Sequence, residues 1–259
     1  MKKFLAIAIA FAVASSAGAN TSVKLGYSSL PVKVLYNIQN ITTGVMTNGS
    51  EALSAGVLNI SGESMTKVND MLSIGLEVTA GAPMGEAKQD LTKQLTDLPA
   101  GSTEDPFEGD SSTFKVATLG AMAKAKLGMA AGPGTVGLGI GAGTVIVSLL
   151  GTDVDTVWSG FGGTYKTAAS DTVVSKTTTY SVNIAPVFVL SIAPSFDMTL
   201  SDTDSVGVEI PLNLLSTTRV GNDNDSTVPA TVGDDNPLKD GAEIGGFSWG
   251  INVAYTRKF

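Results

Sequence analysis

The chain has 259 residues, of which 15% are charged and 30 are glycine, and its formal net charge is −8. An ordinary soluble domain has about 25% charged residues and about 7% glycine, so this composition is low in charge and rich in glycine. The sequence contains no cysteine and no histidine. Disulfides, thiolate metal sites and imidazole catalysis are therefore excluded. The negative charge argues against a nucleic-acid partner, which requires a basic surface.

Residues 1–19 have the features of a signal peptide. Two lysines near the N-terminus precede an apolar stretch at residues 4–13, and residues 17–19 match a small-residue cleavage site. The apolar stretch is too short to span about 30 Å of hydrocarbon. We therefore expect export from the cytoplasm with cleavage after Ala19, which leaves a single domain at residues 20–259.

The remainder of the chain alternates apolar and polar residues with period two, which is typical of β-strands. In residues 245–259, aromatic and aliphatic side chains share one face, and small or polar side chains share the other. Residues 72–80, 115–129 and 205–216 alternate in the same way. In residues 136–149 the polar face includes four glycines, which fits a narrow barrel interior.

One phase of alternation persists without interruption from residue 180 to residue 200. We interpret this segment as one long strand, bent at its prolines and projecting beyond a bilayer, although two joined strands are the alternative. One strand gives a total of eight, with short and long links in alternation, as bacterial outer-membrane barrels require an even number. The predicted short links are residues 61–68, 130–135 and 201–205, and the predicted long links are residues 37–52, 81–112, 151–175 and 218–243.

The C-terminal residues carry a family resemblance. Phe259 is aromatic, and Tyr255, Val253 and Ile251 precede it at alternate positions. This ending resembles the C-terminal sorting signature of bacterial outer-membrane β-barrel proteins, although Arg257 stands where that signature usually has an apolar residue. The resemblance implies insertion into the outer membrane by the barrel-assembly machinery, and it implies nothing about activity.

These patterns predict an all-β fold: a transmembrane antiparallel up-and-down β-barrel of about eight strands with long external loops. The outward face is expected to contact outer-membrane lipid. Barrels of this kind have girdles of aromatic residues at both membrane interfaces. The predicted girdle consists of Phe247, Trp249, Tyr255 and Phe259.

Several charged residues fall on the inward face of the predicted strands. They are Glu77, Lys124, Lys126, Asp197 and Glu209. We expect opposite charges to pair, because an isolated buried charge is costly. An eight-stranded barrel has an interior just wide enough for side chains, which favours a plug over an ion path gated by the same pairs.

The negative charge is concentrated in the predicted long links. Residues 81–112 carry −5, residues 218–243 carry −4, residues 151–175 carry −2 and residues 37–52 carry −1. We expect a solvated surface that resists association with like surfaces. Divalent-cation binding by the Asp-rich part of the last link is the alternative, but its spacing does not complete an EF-hand loop. Leucines at helical spacing predict a short helix in residues 86–98.

The functional prediction is a surface protein without enzymatic activity, with a structural, antigenic or adhesin-like role for its acidic loops. A narrow porin or channel for small solutes is the first alternative, and a secreted soluble β-sandwich adhesin is the second. Known outer-membrane barrel enzymes rely on a catalytic histidine, which this sequence lacks. No motif predicts a cofactor or a metal ion. Host or surface ligands are the expected partners of the loops.

Overall fold

The computed structural model describes residues 19–40, 46–90, 95–96, 111–157, 175–220 and 241–258. Most of the predicted signal peptide and Phe259 lie outside the described residues. The strands are β1 (Ala19–Asn40), β2 (Met46–Lys67), β3 (Leu72–Pro83), β4 (Ala87–Asp90), β5 (Leu95–Thr96), β6 (Ser111–Ala131), β7 (Gly134–Val157), β8 (Ser175–Thr199), β9 (Asp204–Glu209), β10 (Leu212–Val220) and β11 (Gly241–Lys258). Within the described part of the chain, no helix is long and apolar enough to cross a membrane.

The strands form one closed sheet, which is antiparallel except for the two-residue strand β5. Its ring order is β1, β2, β3, β6, β7, β8, the pair β9 and β10, and β11, and β11 then pairs with β1. β9 and β10 together make the seventh barrel strand, since both lie between β8 and β11. The predicted all-β, eight-stranded, antiparallel barrel is confirmed. A single closed sheet contradicts the β-sandwich alternative, because a sandwich needs two facing sheets.

Several predicted element boundaries were wrong. The link at residues 37–52 is mostly strand, because β1 continues to Asn40 and β2 begins at Met46. β2 likewise continues to Lys67, so the turn that follows is only residues 68–71. The helix predicted at residues 86–98 is absent where the chain is described, since β4 pairs with β6 and β5 pairs in parallel with β1. Pairing with an available strand edge outweighs local helical spacing there.

β8 is one strand of 25 residues, as the uninterrupted alternation predicts, and its two prolines account for irregularities in the neighbouring strand. The carbonyl of Pro194 accepts a hydrogen bond from the amide of Ile210, 2.9 Å away. The ring nitrogen of Pro194 therefore faces the same neighbour without a proton to donate. The break between β9 and β10 lies at residues 210–211, opposite this position. At Pro186, the Thr218 hydroxyl replaces a backbone donor, with its Oγ1 3.1 Å from the proline carbonyl oxygen.

The barrel has two halves with different interiors. We call the half next to the short turns, which contains Lys24, the lower barrel. We call the opposite half, which contains Ile244, the upper barrel. In the lower barrel, polar residues of β1 point inward, and apolar residues such as Leu25 point outward. In the upper barrel, the buried Val32 and Val34 flank an exposed Lys33 on the same strand, so the polarity of the two faces is exchanged.

Candidate functional site

The interior of the lower barrel contains a cluster of five charged side chains. They are Lys24, Glu63, Glu77, Lys124 and Glu209, from β1, β2, β3, β6 and β9. Lys24 Nζ lies 2.7 Å from Glu63 Oε2, 2.7 Å from Glu77 Oε2 and 3.0 Å from Glu209 Oε2. Lys124 Nζ lies 2.9, 2.8 and 3.3 Å from the same three oxygen atoms. We call this group the ion cluster.

The ion cluster is almost completely closed to solvent, with 3–6% of each side chain exposed. Each ammonium group has three N–H donors, and each faces three carboxylates. Burial of a charge is tolerated only when it is paired and hydrogen-bonded in this way. The cluster joins strands far apart in sequence, so its formation requires the closed barrel.

Glycines of β7 make room for the lysine stems that cross the lumen. A Cβ atom on Gly141 would lie 3.3 Å from Lys124 Cγ, and one on Gly137 would lie 2.8 Å from Lys126 Cε. The alternate glycines of residues 136–149 therefore have a packing role. Lys126 itself pairs with Asp197, with its Nζ 2.7 Å from the Asp197 Oδ2, in a more accessible position than the ion cluster.

The interior of the upper barrel is filled by aliphatic side chains. This apolar core consists of Leu30, Val32, Val34, Ala55, Val57, Ala87, Val116, Val147, Leu149, Ala185, Val187, Val189, Leu215, Ala242 and Ile244. Leu53, Met122 and Val145 pack against it. On the outward face at this level, Lys33 pairs with Glu243 at 3.3 Å and Lys115 pairs with Glu86 at 2.8 Å. Glu51 lies on the inward face, opposite Val34. This layer has the organisation of a water-surrounded barrel.

The outward face of the lower barrel is apolar. Its exposed side chains include Val23, Leu25, Leu58, Ile74, Leu76, Leu119, Leu127, Leu138, Ile140, Leu190, Ile192, Val208, Leu212, Leu214, Ile251 and Val253. A contiguous apolar surface of this size is unusual for a soluble monomer. We call it the apolar band.

Polar groups lie at the turn side of the apolar band. The exposed Tyr255 donates its hydroxyl hydrogen bond to Asp204 Oδ1 at 2.6 Å. In the first turn, Lys67 hydrogen-bonds Asp70 and, with its charge, lowers the pKa of the Asp70 carboxyl from its usual value. These contacts place a polar edge beneath the band.

The predicted girdle residues are placed as follows. Phe247, Trp249 and Tyr255 are exposed on the outward face of β11, and Trp249 packs edge-on against Tyr27 with ring centroids 6.0 Å apart. Ile251 and Val253, two residues of the predicted sorting signal, are exposed on the same face. Phe259 belongs to both predicted sets and lies outside the described residues.

Of the predicted interior charges, Glu77, Lys124 and Glu209 meet in the ion cluster, while Lys126 and Asp197 form a separate pair. Sequence reasoning missed Lys24 and Glu63. Lys24 lies on β1, whose inward residues the sequence analysis did not work out, and Glu63 lies on β2 at a position that was assigned to the short link at residues 61–68. The alternation of Ser22, Lys24 and Gly26 with apolar residues could have revealed Lys24.

Sequence reasoning also missed the apolar core of the upper barrel. The leucine and valines at positions 30, 32 and 34 continue the same inward phase as Lys24. The change from polar to apolar along one phase is the signal that could have predicted it. Across the described ranges, no group of three or more acidic side chains is arranged to hold a metal ion. The Asp-rich segment at residues 221–225 lies outside those ranges.

The strand pairing and the filled interior define a closed eight-stranded antiparallel β-barrel. No protein-family model matches the chain. No curated protein matches it in sequence either.

Solved structures that match the chain in a structural comparison include Neisserial surface protein A, at 10% identity and a TM-score of 0.45, covering 94% of this chain and 98% of that one. The outer membrane protease OmpT from Escherichia coli has 11% identity and a TM-score of 0.37, with 93% and 96% covered. The attachment invasion locus protein Ail of Yersinia pestis, in complex with a heparin analogue, has 8% identity and a TM-score of 0.34, with 93% and 99% covered. The assignment of the fold rests on the strand pairing of this chain and not on these similarities.

Proposed function

We propose that this protein is a non-conducting outer-membrane β-barrel that holds acidic loops above the membrane surface. The observation that carries the proposal is the filling of the lumen at two successive levels. The ion cluster occupies the lower barrel, and the apolar core occupies the upper barrel. A continuous water path would have to pass both levels, and hydrated solutes are unfavourable in an apolar layer.

The exterior supports the membrane part of the proposal. The apolar band surrounds a polar interior, which is the reverse of a soluble barrel and suits a lipid environment. Above the band the outward residues become polar, as at Lys33 and Lys115. We infer that lipid contacts the lower barrel and that the upper barrel stands in water.

Fractionation of cells that express the full chain tests the location. We expect the protein in the outer-membrane fraction as a species whose mobility in SDS gels changes on heating. We also expect truncation of Phe259 to lower the amount assembled, because the sorting signal would engage the barrel-assembly machinery through this residue. Recovery from the soluble periplasm would contradict the proposal.

The loops remain as the functional part in this proposal, in a structural, antigenic or adhesin-like role. Residues 221–240 and 158–174, which lie outside the described ranges, connect strands at the end of the barrel away from the short turns. The absence of histidine removes the usual general base and supports a role without catalysis. Deleting residues 221–240 should preserve the heat-modifiable barrel while reducing the recognition of intact cells by surface-raised antibodies.

A narrow channel is the second candidate, because charged residues of both signs lie in the lumen. Planar-bilayer recordings distinguish the two candidates. We expect no stable openings from the purified full chain. If stable openings do occur, and if Lys124→Ala or Glu209→Ala changes their conductance, the channel would be favoured and the filled lumen contradicted.

A further inference from the structure

The closing seam between β1 and β11 contains two different pairing registers. In the lower barrel, Ser29 pairs with Trp249. In the upper barrel, Val32 pairs with Ile244. From the first pair to the second, β1 advances by three residues and β11 by five, so β11 accommodates two extra residues. Gly246, with φ of +104°, lies in this bulge and adopts a conformation that is easy only for glycine.

A bulge-free alternative exists for this seam. If the upper register continued into the lower barrel, Ser22 would face Ala254, whereas it actually pairs with Thr256. A shift of two residues preserves which side chains point inward, so it does not exchange the faces of the strand. The alternative would also avoid the bulge at Gly246. Some interaction in the lower barrel therefore holds the observed register against the shifted, bulge-free one.

Most lower-barrel residues along the seam carry little register information. The inward residues of β11 at this level are small or of modest size, and so are Ser22 and Gly26 of β1. A close packing contact among them is that of the Asn252 side chain with Gly26, where a Cβ would not fit. Most outward residues of the two strands at this level are apolar or aromatic, and lipid does not distinguish one apolar neighbour from another. Trp249 packs against Tyr27 across the seam, but Tyr27 would directly face Trp249 in the shifted register, so this contact is available in both registers. The direct polar contacts are the 2.7 Å hydrogen bonds between the Ser22 and Thr256 hydroxyls and from the Ser248 hydroxyl to the Ser29 carbonyl.

The ion cluster crosses the seam in an uneven way. Four members lie on the contiguous strands β1, β2, β3 and β6, and only Glu209 lies on the other side, on β9. Glu209 pairs with Asn252 of β11, so its position follows the register of β11. A shift of two residues along a strand is a displacement of about 6.8 Å. That displacement would break the 3.0 Å contact to Lys24, which lies on the other side of the seam.

We propose that Glu209 is a register-setting residue that selects how the last strand closes on the first. In the shifted register its carboxylate would be buried without Lys24, the nearer of its two lysine partners, which is strongly unfavourable. The upper barrel fixes its own register through the buried Val32–Ile244 contact and the Lys33–Glu243 ion pair. The bulge at Gly246 reconciles the two halves.

Engineered disulfides test this proposal, and the absence of native cysteine makes the full chain suitable for them. Directly opposed antiparallel residues are close enough for a disulfide. Ser22→Cys with Thr256→Cys therefore reports the observed register, and Ser22→Cys with Ala254→Cys reports the shifted one. We would introduce each pair into the wild-type background and into Glu209→Gln, refold the chains in detergent, and measure crosslinking in the heat-modifiable fraction.

We expect the ratio of shifted to native crosslink to rise by about ten-fold or more in Glu209→Gln, which corresponds to about 1.4 kcal/mol. Glu63→Gln is the matched control, because it removes the same charge from the same cluster on the β1 side of the seam. It should lower stability without changing the ratio. An unchanged ratio in Glu209→Gln, or an equal rise in Glu63→Gln, would overturn the proposal.

A second variant addresses failure of Glu209→Gln to fold. Glu209→Asp keeps the charge but shortens its reach by one methylene, so we expect a smaller rise in the shifted crosslink than in the glutamine variant. Glu63→Asp is the matched control for Glu209→Asp. A Glu209→Asp ratio no higher than that of Glu63→Asp would contradict a register-setting role.

Discussion

The lower and upper barrel are built from the same continuous strands, yet they place their polar residues on opposite faces. In the lower barrel, Lys24 and Glu63 are buried in the lumen while Leu25 is exposed outside. In the upper barrel, Ile244 is buried in the lumen while its neighbour Glu243 forms an exposed ion pair. Both halves have the same backbone pattern, so hydrogen bonding does not cause the exchange. The proposed change of surroundings, from lipid to water, accounts for it.

The comparison also explains why the two halves are stabilised differently. The upper barrel gains from removing apolar surface from water. The lower barrel exposes apolar surface and contains buried charges, so its stability depends on complete pairing inside. Loss of a buried charge partner should therefore lower the free energy of unfolding most in the lower barrel, and loss of inward apolar volume should lower it most in the upper barrel.

Lys124→Met should give the largest effect, because it leaves three buried carboxylates with a single lysine. We expect a loss of about 3–5 kcal/mol in the free energy of unfolding, as for one partner removed from a buried ion pair. Urea titration of the protein folded in lipid vesicles measures the loss. Lys126→Met is the matched control, since Lys126 has a single acidic partner and is more accessible. Equal losses in both variants would contradict the central role of the ion cluster.

Ile244→Ala tests the apolar core of the upper barrel. Ile244 is completely buried, so we expect a loss of about 2–5 kcal/mol from the cavity and the lost apolar contacts. Ile251→Ala, on the outward face of the same strand, should cost less, because Ile251 is about half exposed. Vesicle-based unfolding compares the two variants. A larger loss for Ile251→Ala than for Ile244→Ala would contradict the conclusion that inward apolar packing stabilises the upper barrel.

Ile140→Arg tests the position of the membrane boundary. Ile140 is exposed within the apolar band, and a cation there should cost about 2–4 kcal/mol if lipid surrounds it. Ala52→Arg, at an exposed position opposite Lys33 on the outward face of the upper barrel, should have a much smaller effect because water is available there. Folding yield and unfolding in vesicles report both. Equal tolerance of arginine at the two positions would show that no lipid boundary lies between them.

The alternation in the sequence predicted a large part of the fold from local information. β8 was identified as a single strand because one phase runs through both Pro186 and Pro194 and because one strand there gives an even total of eight. The glycines of β7 and the inward position of Lys124 followed from the same period of two. Such predictions succeed because the side chains of a strand alternate between its faces, whatever the partner strand is.

The predictions failed where the partner strand or the surroundings decide the structure. Residues 37–52 contain polar residues and were assigned to a loop, but they are mostly paired in the upper barrel, where the outward face is polar. The segment that begins at Ala87 was assigned to a helix, but the edge of β6 pairs with it. In both places the deciding factor is a neighbour that is distant in sequence.

Local patterns in the amino-acid sequence were enough to predict an all-β barrel, low in charge, with inward glycines and charged residues. The tertiary structure decided which charges meet, since Lys24 and Glu209 are brought together only by closure of the ring. It also decided the two registers of the closing seam and the exchange of polarity between the halves. The physical reason is that alternation is a property of one strand, whereas pairing, register and burial are properties of strands in contact.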